Sequence, residues 1–327
     1  MTVARLSDQE AFEILKGIRW ADNSGKPYCP RCKCDAIYEL TTRKLWKCQR
    51  CCHQFSITSS TIFAGRKLPI RVYLMAIALF VNSAKGHSAL QLSRELNIQY
   101  RSAFVLLHKL RDLISREINK ITLSGRVEVD GAYFGGYVKP ANYKKKRRDR
   151  REVIRESGKQ RVVVVARRRR GDAMTFVTTS ERAAVPQVIE RVNPGAIVYA
   201  DDSPAWSPFH AEYDTRRINH SVCYSDGKAC TNQAESFFSR LRRAEIGTHH
   251  QVCKYLPAYA AEMAWRENHS RRSSLEQYRT LVALAFAASL PSSWRGYWQR
   301  HKPKLPPREG ATTILNELYQ PEREALC

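Results

Sequence analysis

The chain has 327 residues, a length that suggests about two domains of roughly 150 residues each. Lys and Arg number 55 against 31 Asp and Glu, which gives a formal net charge of +24. Such an excess favours a polyanionic partner through the release of phosphate counterions, and nucleic acid is a better candidate than an anionic membrane surface. The longest apolar run, residues 72–81, is about half the ~20 residues that a membrane-spanning helix needs. The composition therefore argues against a membrane protein.

The N-terminal segment predicts a short helix and no export signal. Apolar and polar residues alternate at helical spacing over residues 6–22, with Asp8 as the candidate N-cap. The segment lacks a positively charged start followed by an apolar stretch, so we expect a cytoplasmic protein. In such a reducing compartment, paired cysteines bind metal more often than they form disulfides.

Four of the ten cysteines have the spacing of a structural zinc site: Cys29, Cys32, Cys48 and Cys51. Each pair encloses two residues, and fifteen residues separate the pairs. Two such knuckles place four thiolates around one Zn²⁺ and leave no open position for catalysis, as in a zinc ribbon. Cys34, Cys52 and His53 lie close enough to compete as ligands, although Cys52 in place of Cys51 would spoil the two-residue spacing.

The stretch from residue 68 to 118 predicts three helices, with breaks at 85–86 and near 97. The last two, from about 88 to 96 and from about 100 onward, have the pattern of a helix-turn-helix, with Leu90, Leu92 and Leu96 as packing residues of the first. The second helix of such a unit places its N-terminal residues at base edges in the major groove. The candidate base-reading residues are Gln99, Tyr100, Arg101 and Ser102. An ordinary helical hairpin is the alternative.

From residue 125 onward the pattern changes to strands, at about 126–134, 161–166, 172–179 and 196–201, with a helix near 183–192. Two further helices are expected near 231–245 and 255–268, with Thr231 or Asn232 as the cap of the first. The tail from Pro291 is rich in Pro, Arg and Trp, with a short helix near 312–319. We therefore predict four segments: a leading helix and zinc ribbon at 1–60, a helix-turn-helix region at 61–122, an α/β domain at 123–290 and the tail at 291–327.

Positive charge is concentrated between residues 139 and 170, where 15 Lys and Arg stand against 3 Asp and Glu, a net of +12. A charge run of this kind is usually a solvated or disordered loop. Its position directly after a strand with an acidic residue favours a loop that grips DNA instead. The candidate contact residues are Lys144, Lys145, Lys146, Arg147 and Arg148.

Three acids have the order and surroundings of a metal-dependent nuclease site. Asp130 ends the alternation of Val127 and Val129, so we expect it where the chain leaves a strand. Asp201 and Asp202 follow a second strand, and Glu235 stands early in a helix. Two acids at strand ends and one on a later helix form the arrangement by which RNase H-like enzymes hold two Mg²⁺ ions about 3.5–4 Å apart. An isolated Asp at a strand end is more often a turn former, so the prediction depends on the ordered trio.

These motifs together resemble the bacterial insertion-sequence transposases (ISXO-like) that join an N-terminal zinc ribbon to a DDE-type, RNase H-like domain. The likeness runs from about residue 10 to 275 and includes CPRC and CQRC, VEVDGAYFGG, VYADDS, INHS and TNQAESFFSRLRRAEIGTHH. It implies that Asp130, Asp201 and Glu235 are the three catalytic acids and that Arg242 is the basic residue that follows the third. Family members often have Glu directly after the first two Asp, where this chain has Gly131 and Asp202.

The resemblance implies a DNA transposase with an RNase H-like mixed sheet flanked by helices, which binds terminal inverted repeats and uses two Mg²⁺ or Mn²⁺ ions for cleavage and strand transfer. Its partners would be transposon ends and target DNA, with a homo-oligomer assembled on that DNA. His249 and His250 are either phosphate contacts or surface residues at a helix end. Asn268 is the rival of Glu235, because an amide oxygen also ligates Mg²⁺. The alternatives are a zinc-ribbon DNA-binding regulator or decayed transposase, and a nuclease or resolvase without joining activity.

Overall fold

The computed structural model of the chain describes residues 5–136, 141–218, 231–250, 252–289 and 292–300. The helix expected near 312–319 and residues 219–221 of the INHS motif lie outside these ranges. No helix within them is long and apolar enough to cross a membrane.

The helices are α1 (Asp8–Arg19), α2 (Ile70–Asn82), α3 (Ala89–Glu95), α4 (Tyr100–Ile118), α5 (Arg150–Glu156), α6 (Glu181–Arg191), α7 (Phe209–Glu212), α8 (Asn232–Ala244), α9 (Leu256–Asn268), α10 (Ser274–Ala287) and α11 (Tyr297–Arg300). The strands are β1 (Ile37–Leu40), β2 (Leu45–Cys48), β3 (Gln54–Phe55), β4 (Arg126–Gly135), β5 (Gln160–Arg168), β6 (Ala173–Thr178), β7 (Ile197–Asp201) and β8 (Asp214–Ile218).

Helix α1 begins at Asp8, one residue earlier than expected, because Asp8 was predicted to be the N-cap and not the first helical residue. Ser7, not Asp8, is the N-cap, and its hydroxyl accepts a hydrogen bond from the Glu10 backbone N–H. The Glu10 carboxylate in turn accepts from the Ser7 backbone N–H at 2.7 Å, so that the two residues form a capping box. Asp8 is left in the first turn, where a negative charge is still favourable because of the helix dipole.

The three predicted helices of the second segment are all present, as α2, α3 and α4. The chain turns between α3 and α4 at Asn97, whose φ of 49° is in the left-handed region that Asn tolerates better than most residues. Leu92 is fully buried, but Leu90 is 50 % exposed, so the packing role predicted for Leu90 is wrong. The face of α3 that packs on α4 is therefore narrower than the leucine pattern suggested.

The large sheet has the strand order β6-β5-β4-β7-β8. Strand β4 pairs antiparallel with β5 and parallel with β7, and β7 pairs parallel with β8. Residues Val162–Val165 of β5 are fully buried, as expected for a continuous apolar run covered on both faces. Helices α6, α8 and α9 pack against this sheet. The predicted α/β mixed sheet flanked by helices is confirmed.

A buried ion-pair network joins α4 to α9. The Glu262 carboxylate, on α9, accepts hydrogen bonds from Arg111 Nε at 2.6 Å and from Arg266 Nη2 at 2.7 Å. Arg111 is 1 % exposed and also donates to the backbone carbonyl of His87. Two guanidinium groups thus satisfy one buried carboxylate, which holds the helical segment against the helix that covers the sheet.

Candidate functional site

The four predicted zinc ligands lie together at the N-terminal sheet. The Sγ atoms of Cys29, Cys32, Cys48 and Cys51 are all within 4.8 Å of one another. Cys29 and Cys48 are buried, whereas Cys34 is half-buried, Cys52 is exposed, and neither belongs to the group. Four sulfurs this close have the number and chemistry of a structural zinc site.

The two knuckles repeat the same backbone geometry. In the first, Lys33 N donates to Cys29 O at 2.9 Å, and in the second Cys52 N donates to Cys48 O at 3.1 Å. Lys33 and Cys52 both have left-handed φ values, 61° and 55°. Cys52 thus closes the second knuckle with its backbone rather than with its sulfur. The N–H of Cys51 is the main cause that lowers the pKa of the Cys48 thiol to about 6, whereas burial raises the pKa of Cys32 and of Cys51.

The sequence predicted that Asp130 stands at the end of its strand, and the structure shows that it does not. Strand β4 continues to Gly135 and stays paired with β5 through this region, including Asp130 with Val165. The parallel pairing with β7 does end there, since its last pair is Val129 with Ala200. Asp130 therefore lies one residue past the last pair with β7, level with Asp201, where the parallel pairing stops.

Asp201 is the last residue of β7, at the same edge of the sheet. Its Oδ1 accepts a hydrogen bond from the indole Nε1 of Trp206, which is fully buried. A rigid indole donor fixes the orientation of the carboxylate. The neighbouring Asp202 is exposed, and its Oδ1 is 3.7 Å from Arg217 Nη1. Of this Asp pair, Asp201 is thus the one held toward the site.

Glu235 is an exposed residue in the first turn of α8, and a buried acid fixes where that helix starts. Glu128 is fully buried, and its Oε2 accepts from the backbone N–H of Gln233 at 3.0 Å and of Ala234 at 3.3 Å. Its Oε1 is 2.9 Å from Arg169 Nε. Because side chains two apart share a face of a strand, Glu128 and Asp130 lie on the same side of β4. The anchor on Glu128 therefore brings the Glu235 end of α8 to the side of Asp130.

The acids act on one another. Burial raises the pKa of the Asp130 carboxyl to about 7, against the opposing hydrogen bond from the Gly131 N–H. Repulsion from three neighbouring carboxylates adds to the shift: Asp201, Glu235 and Glu181. Glu181 did not stand out in the sequence. Burial also raises its own pKa, and Asp201 adds to that shift. Without a cation these carboxylates repel, so the cluster is electrostatically suited to bind one.

The donor set fits Mg²⁺ or Mn²⁺, because these ions prefer carboxylate oxygens. Among the residues that the structure describes, only the four cysteines bring three or more ligand atoms within 4.8 Å of each other. The carboxylates are more widely spaced.

Asn268, the rival metal ligand, is occupied elsewhere. Its Oδ1 accepts from Ala173 N at 2.7 Å and its Nδ2 donates to Ala173 O at 3.0 Å. The side chain thus pairs with the start of β6 in the manner of a neighbouring strand. Both polar atoms are satisfied by backbone, which leaves Glu235 as the better candidate.

The three basic residues proposed after Glu235 differ in their exposure to solvent. Arg242 is exposed, with its guanidinium carbon 5.7 Å from the centre of the Phe134 ring. His250 is also exposed. His249 instead faces inward, with its ring centre 4.4 Å from that of Tyr259, and burial lowers its pKa to about 4. A neutral, inward-facing imidazole is at odds with a phosphate contact by His249.

The four candidate base-reading residues lie at the start of α4. Gln99, Tyr100 and Arg101 are exposed and Ser102 is half-buried. The Arg101 guanidinium carbon is 5.3 Å from the Trp298 ring centre, and Trp298 Nε1 donates to the Arg101 carbonyl at 3.1 Å. One side of this helix end is thus in contact with α11.

The candidate gripping residues, 144–148, are all exposed. Arg148 makes two hydrogen bonds to the Glu156 carboxylate, at 2.7 and 3.0 Å. The Lys146 ammonium is 5.6 Å from the Tyr143 ring centre, and Arg147 Nε donates to a backbone carbonyl at 3.2 Å. The positive charges of residues 144–148 are therefore exposed on the surface, and the charge of Arg148 is partly offset by Glu156.

Two family models match the chain. The transposase zinc-ribbon domain matches residues 6–54, which include the four clustered cysteines. The ISXO2-like transposase domain matches residues 122–268, which include Asp130, Asp201 and Glu235. None of the curated proteins compared with the chain matches it.

Proposed function

We propose, from the premise that this chain belongs to the insertion-sequence transposases with an N-terminal zinc ribbon, that it cleaves the ends of a transposon and joins them to target DNA. The observation that carries the proposal is the convergence of Asp130, Asp201 and Glu235 at one edge of the large sheet, where Asp201 and Glu235 are close enough to act electrostatically on Asp130. Three carboxylates that repel one another suit a site for Mg²⁺ or Mn²⁺.

Each acid has a distinct part. Asp130 and Asp201, at the end of the parallel strands, hold the ions, and Glu235 completes the site from α8. When bound, two such ions supply an activated water or 3′-hydroxyl and stabilise the leaving oxygen on the scissile phosphate. Trp206 keeps the Asp201 carboxylate oriented, since its indole N–H donates to Oδ1. Arg242, which is exposed and lies two turns after Glu235, contacts a DNA phosphate in this proposal.

DNA binding is divided between two surfaces in this proposal. Gln99, Tyr100, Arg101 and Ser102 read bases at the transposon ends, because the N-terminal end of the second helix in a helix-turn-helix reaches base edges. The exposed basic residues at 144–148 contact phosphates and carry no sequence information. We also propose that the chain assembles as a homo-oligomer on the DNA, since a transposon has two ends to be cut.

The test is Glu235→Gln in the full chain, with duplexes that carry the inverted repeats bordering the gene. Mg²⁺-dependent cleavage should fall by about a hundredfold or more, because two-metal catalysis supplies several kcal/mol to the transition state. Binding to the ends and zinc content should be unchanged. Glu190→Gln, an exposed acid on α6, is the matched control and should cleave normally.

The same assay separates the alternatives. A wild-type chain that binds the ends but cleaves in neither Mg²⁺ nor Mn²⁺ is a DNA-binding regulator or a decayed transposase. A chain that cleaves but cannot join pre-cleaved ends to target DNA is a nuclease or resolvase.

A further inference from the structure

A further carboxylate, that of Glu181, lies near Asp130, Asp201 and Glu235, which together form the acidic site. Glu181 is the first residue of α6, and Ser180 is the N-cap of that helix. Acids are common in a first helical turn because of the helix dipole. The Glu181 side chain, however, reaches to the end of β7, where its Oε2 accepts a hydrogen bond from the Ser203 hydroxyl at 3.2 Å. It is thus held beside Asp201 by a residue two positions further along the chain.

Gly131 leaves the space that Glu181 fills. A Cβ atom at position 131 would lie 2.7 Å from Glu181 Cγ and 2.8 Å from Glu181 Oε1, closer than such atoms approach in proteins. The backbone does not require glycine here, since Gly131 is not among the residues with positive φ. A glycine inside a strand is unfavourable unless something must come close to the backbone. At Gly131, the group that comes close is the Glu181 carboxylate.

The two glutamates approach the strand from different helices. Glu181 reaches the backbone at Gly131 from α6, whereas Glu235 is in the first turn of α8, which is anchored on Glu128. Side chains at neighbouring positions of a strand point to opposite faces, so Gly131 is open toward the face opposite to that of Asp130. A glycine therefore lets an acid from the far side of the sheet approach the site. When bound cations keep all four carboxylates ionised, their charge of −4 equals in size the +4 of two divalent cations.

We propose that Glu181 is a fourth carboxylate of the metal site and reaches it through the space that Gly131 leaves. The inference rests on the proposed function and deepens it, since it adds a carboxylate to the same site. A cation bound by Asp130 and Asp201 then meets acids from both sides: Glu235 of α8 and Glu181 of α6.

The test is direct titration of the full chain with Mn²⁺ in the absence of DNA, followed by electron paramagnetic resonance. Glu181→Gln keeps the shape of the side chain and an oxygen that accepts from Ser203, but it removes the charge. We expect Mn²⁺ affinity to fall by about tenfold, the lower end of the effect for groups that support a metal site. Glu190→Gln removes a charge from an exposed position of the same helix and should leave Mn²⁺ affinity unchanged.

Two more variants separate metal binding from a structural role. Ser203→Ala removes the hydrogen bond but keeps the charge, so it should weaken Mn²⁺ binding less than Glu181→Gln does. Gly131→Ala should displace the Glu181 carboxylate and weaken binding, and adding Glu181→Gln to it should cause little further loss. Wild-type Mn²⁺ affinity in Glu181→Gln, with affinity lost in Asp130→Asn, overturns the inference, as does equal weakening in Glu181→Gln and Ser203→Ala.

These experiments distinguish a failure of the Glu181 inference from a failure of the proposed transposase function. If the wild-type chain binds Mn²⁺ in a Glu181-dependent way but never cleaves DNA, the metal role stands and the transposase function fails. If it cleaves DNA and Glu181→Gln binds Mn²⁺ normally, the function stands and the role of Glu181 is wrong. A wild-type chain that binds no Mn²⁺ at all also overturns the inference.

Discussion

The backbone N–H of Gln233 donates a hydrogen bond to the buried carboxylate of Glu128, at a distance of 3.0 Å. The donor is at the start of α8, two residues before Glu235, and the acceptor is on β4, two residues before Asp130. This hydrogen bond therefore fixes the position of the start of α8, and so of Glu235, relative to Asp130 on β4. The N-terminal N–H groups of a helix need acceptors, and a carboxylate is the strongest that a side chain offers.

We predict that Glu128→Ala destabilises the protein by about 3–5 kcal/mol, since it leaves the partly buried Arg169 and two backbone N–H groups without this partner. Urea unfolding followed by circular dichroism measures the change. In Glu128→Gln the amide oxygen can still accept from both backbone N–H groups and only the ion pair with Arg169 is lost, so the loss of stability should be smaller.

The same variants report on the site. Glu128→Ala should weaken Mn²⁺ binding although Glu128 itself is not proposed as a ligand, because the start of α8 loses its acceptor on β4 and can move relative to Asp130. Unchanged Mn²⁺ affinity in a folded Glu128→Ala chain would show that the anchor does not position Glu235.

A second prediction concerns the cysteine cluster. The full wild-type chain should contain about one zinc ion, and Cys29→Ser should lose it and unfold at a lower temperature, because four thiolates share one structural metal. Elemental analysis and thermal unfolding measure the two effects. Cys34→Ser is the matched control, since Cys34 lies beside the first knuckle but outside the cluster. A loss of zinc in Cys34→Ser would mean that the ligand set is different.

A third prediction separates Asn268 from the acids. Asn268→Ala should lower stability by about 1–3 kcal/mol, because the backbone N–H and carbonyl of Ala173 lose their partner. Mn²⁺ affinity of the folded chain should stay close to that of the wild type. Glu235→Gln should show the reverse pattern, with weaker Mn²⁺ binding and nearly normal stability. If the Asn268 variant is stable and binds no Mn²⁺, the two assignments must be exchanged.

The sequence predicted those parts of the site that depend on spacing or local pattern. The four cysteines follow from the two-residue gaps, and Asp201 follows an apolar strand. Contacts across the sheet were not accessible in this way. Glu128 reads as one more polar residue in an alternating strand, and its role depends on a helix more than a hundred residues later. The signal that could have singled it out was an acid two positions before Asp130, on the same face of a strand whose other residues are mostly apolar.

Elements without strong periodicity or clear boundaries were also missed. The sequence DTRRI of β8 is mostly polar, and its pairing with β7 makes it a strand. Helix α10 begins with a capping box formed by Ser273 and Glu276, which is a readable start signal that the prediction did not use. The inward position of His249 had no local signal, because it depends on Gly86 and Tyr259 from other helices and loops.

A fourth prediction concerns DNA affinity. Changing Lys144, Lys145 and Arg147 to Gln should weaken binding to specific and random duplexes alike. The slope of log K against log salt should become shallower by up to about 0.9 for each phosphate that the variant no longer neutralises. Arg148 is left out because its charge is offset by Glu156. Arg271, Arg272 and Arg279 changed to Gln remove the same charge at exposed positions near α10 and form the control.

The residues proposed to read bases should behave differently. Gln99→Ala should reduce the preference for transposon ends over random DNA with little change in the salt slope, because base contacts carry the sequence information. Equal losses of affinity on both duplexes from the Gln99 and the triple variant would contradict the division into two surfaces.

The last prediction concerns acid stability. His249 lies against Tyr259 and Gly86, and the buried charges that face it are Glu262, Arg111 and Arg266. Burial lowers its pKa from 6.5 to about 4, which outweighs the attraction of Glu262 for the proton. Arg111, Arg266 and His250 act in the same direction as burial. The folded protein therefore keeps His249 neutral at pH values where the unfolded chain binds a proton.

Because the folded pKa is depressed, the contribution of His249 to stability is complete above about pH 6.5 and is lost as the pH falls toward 4. A single group can change the free energy of unfolding by at most about 1.4 kcal/mol per pH unit. Urea unfolding at pH 7.5, 6.5, 5.5 and 4.5 should show a shallower loss in His249→Gln than in the wild type, whereas the exposed His250→Gln should follow the wild type. Equal slopes in all three proteins would mean that the His249 imidazole is not held neutral by its buried surroundings.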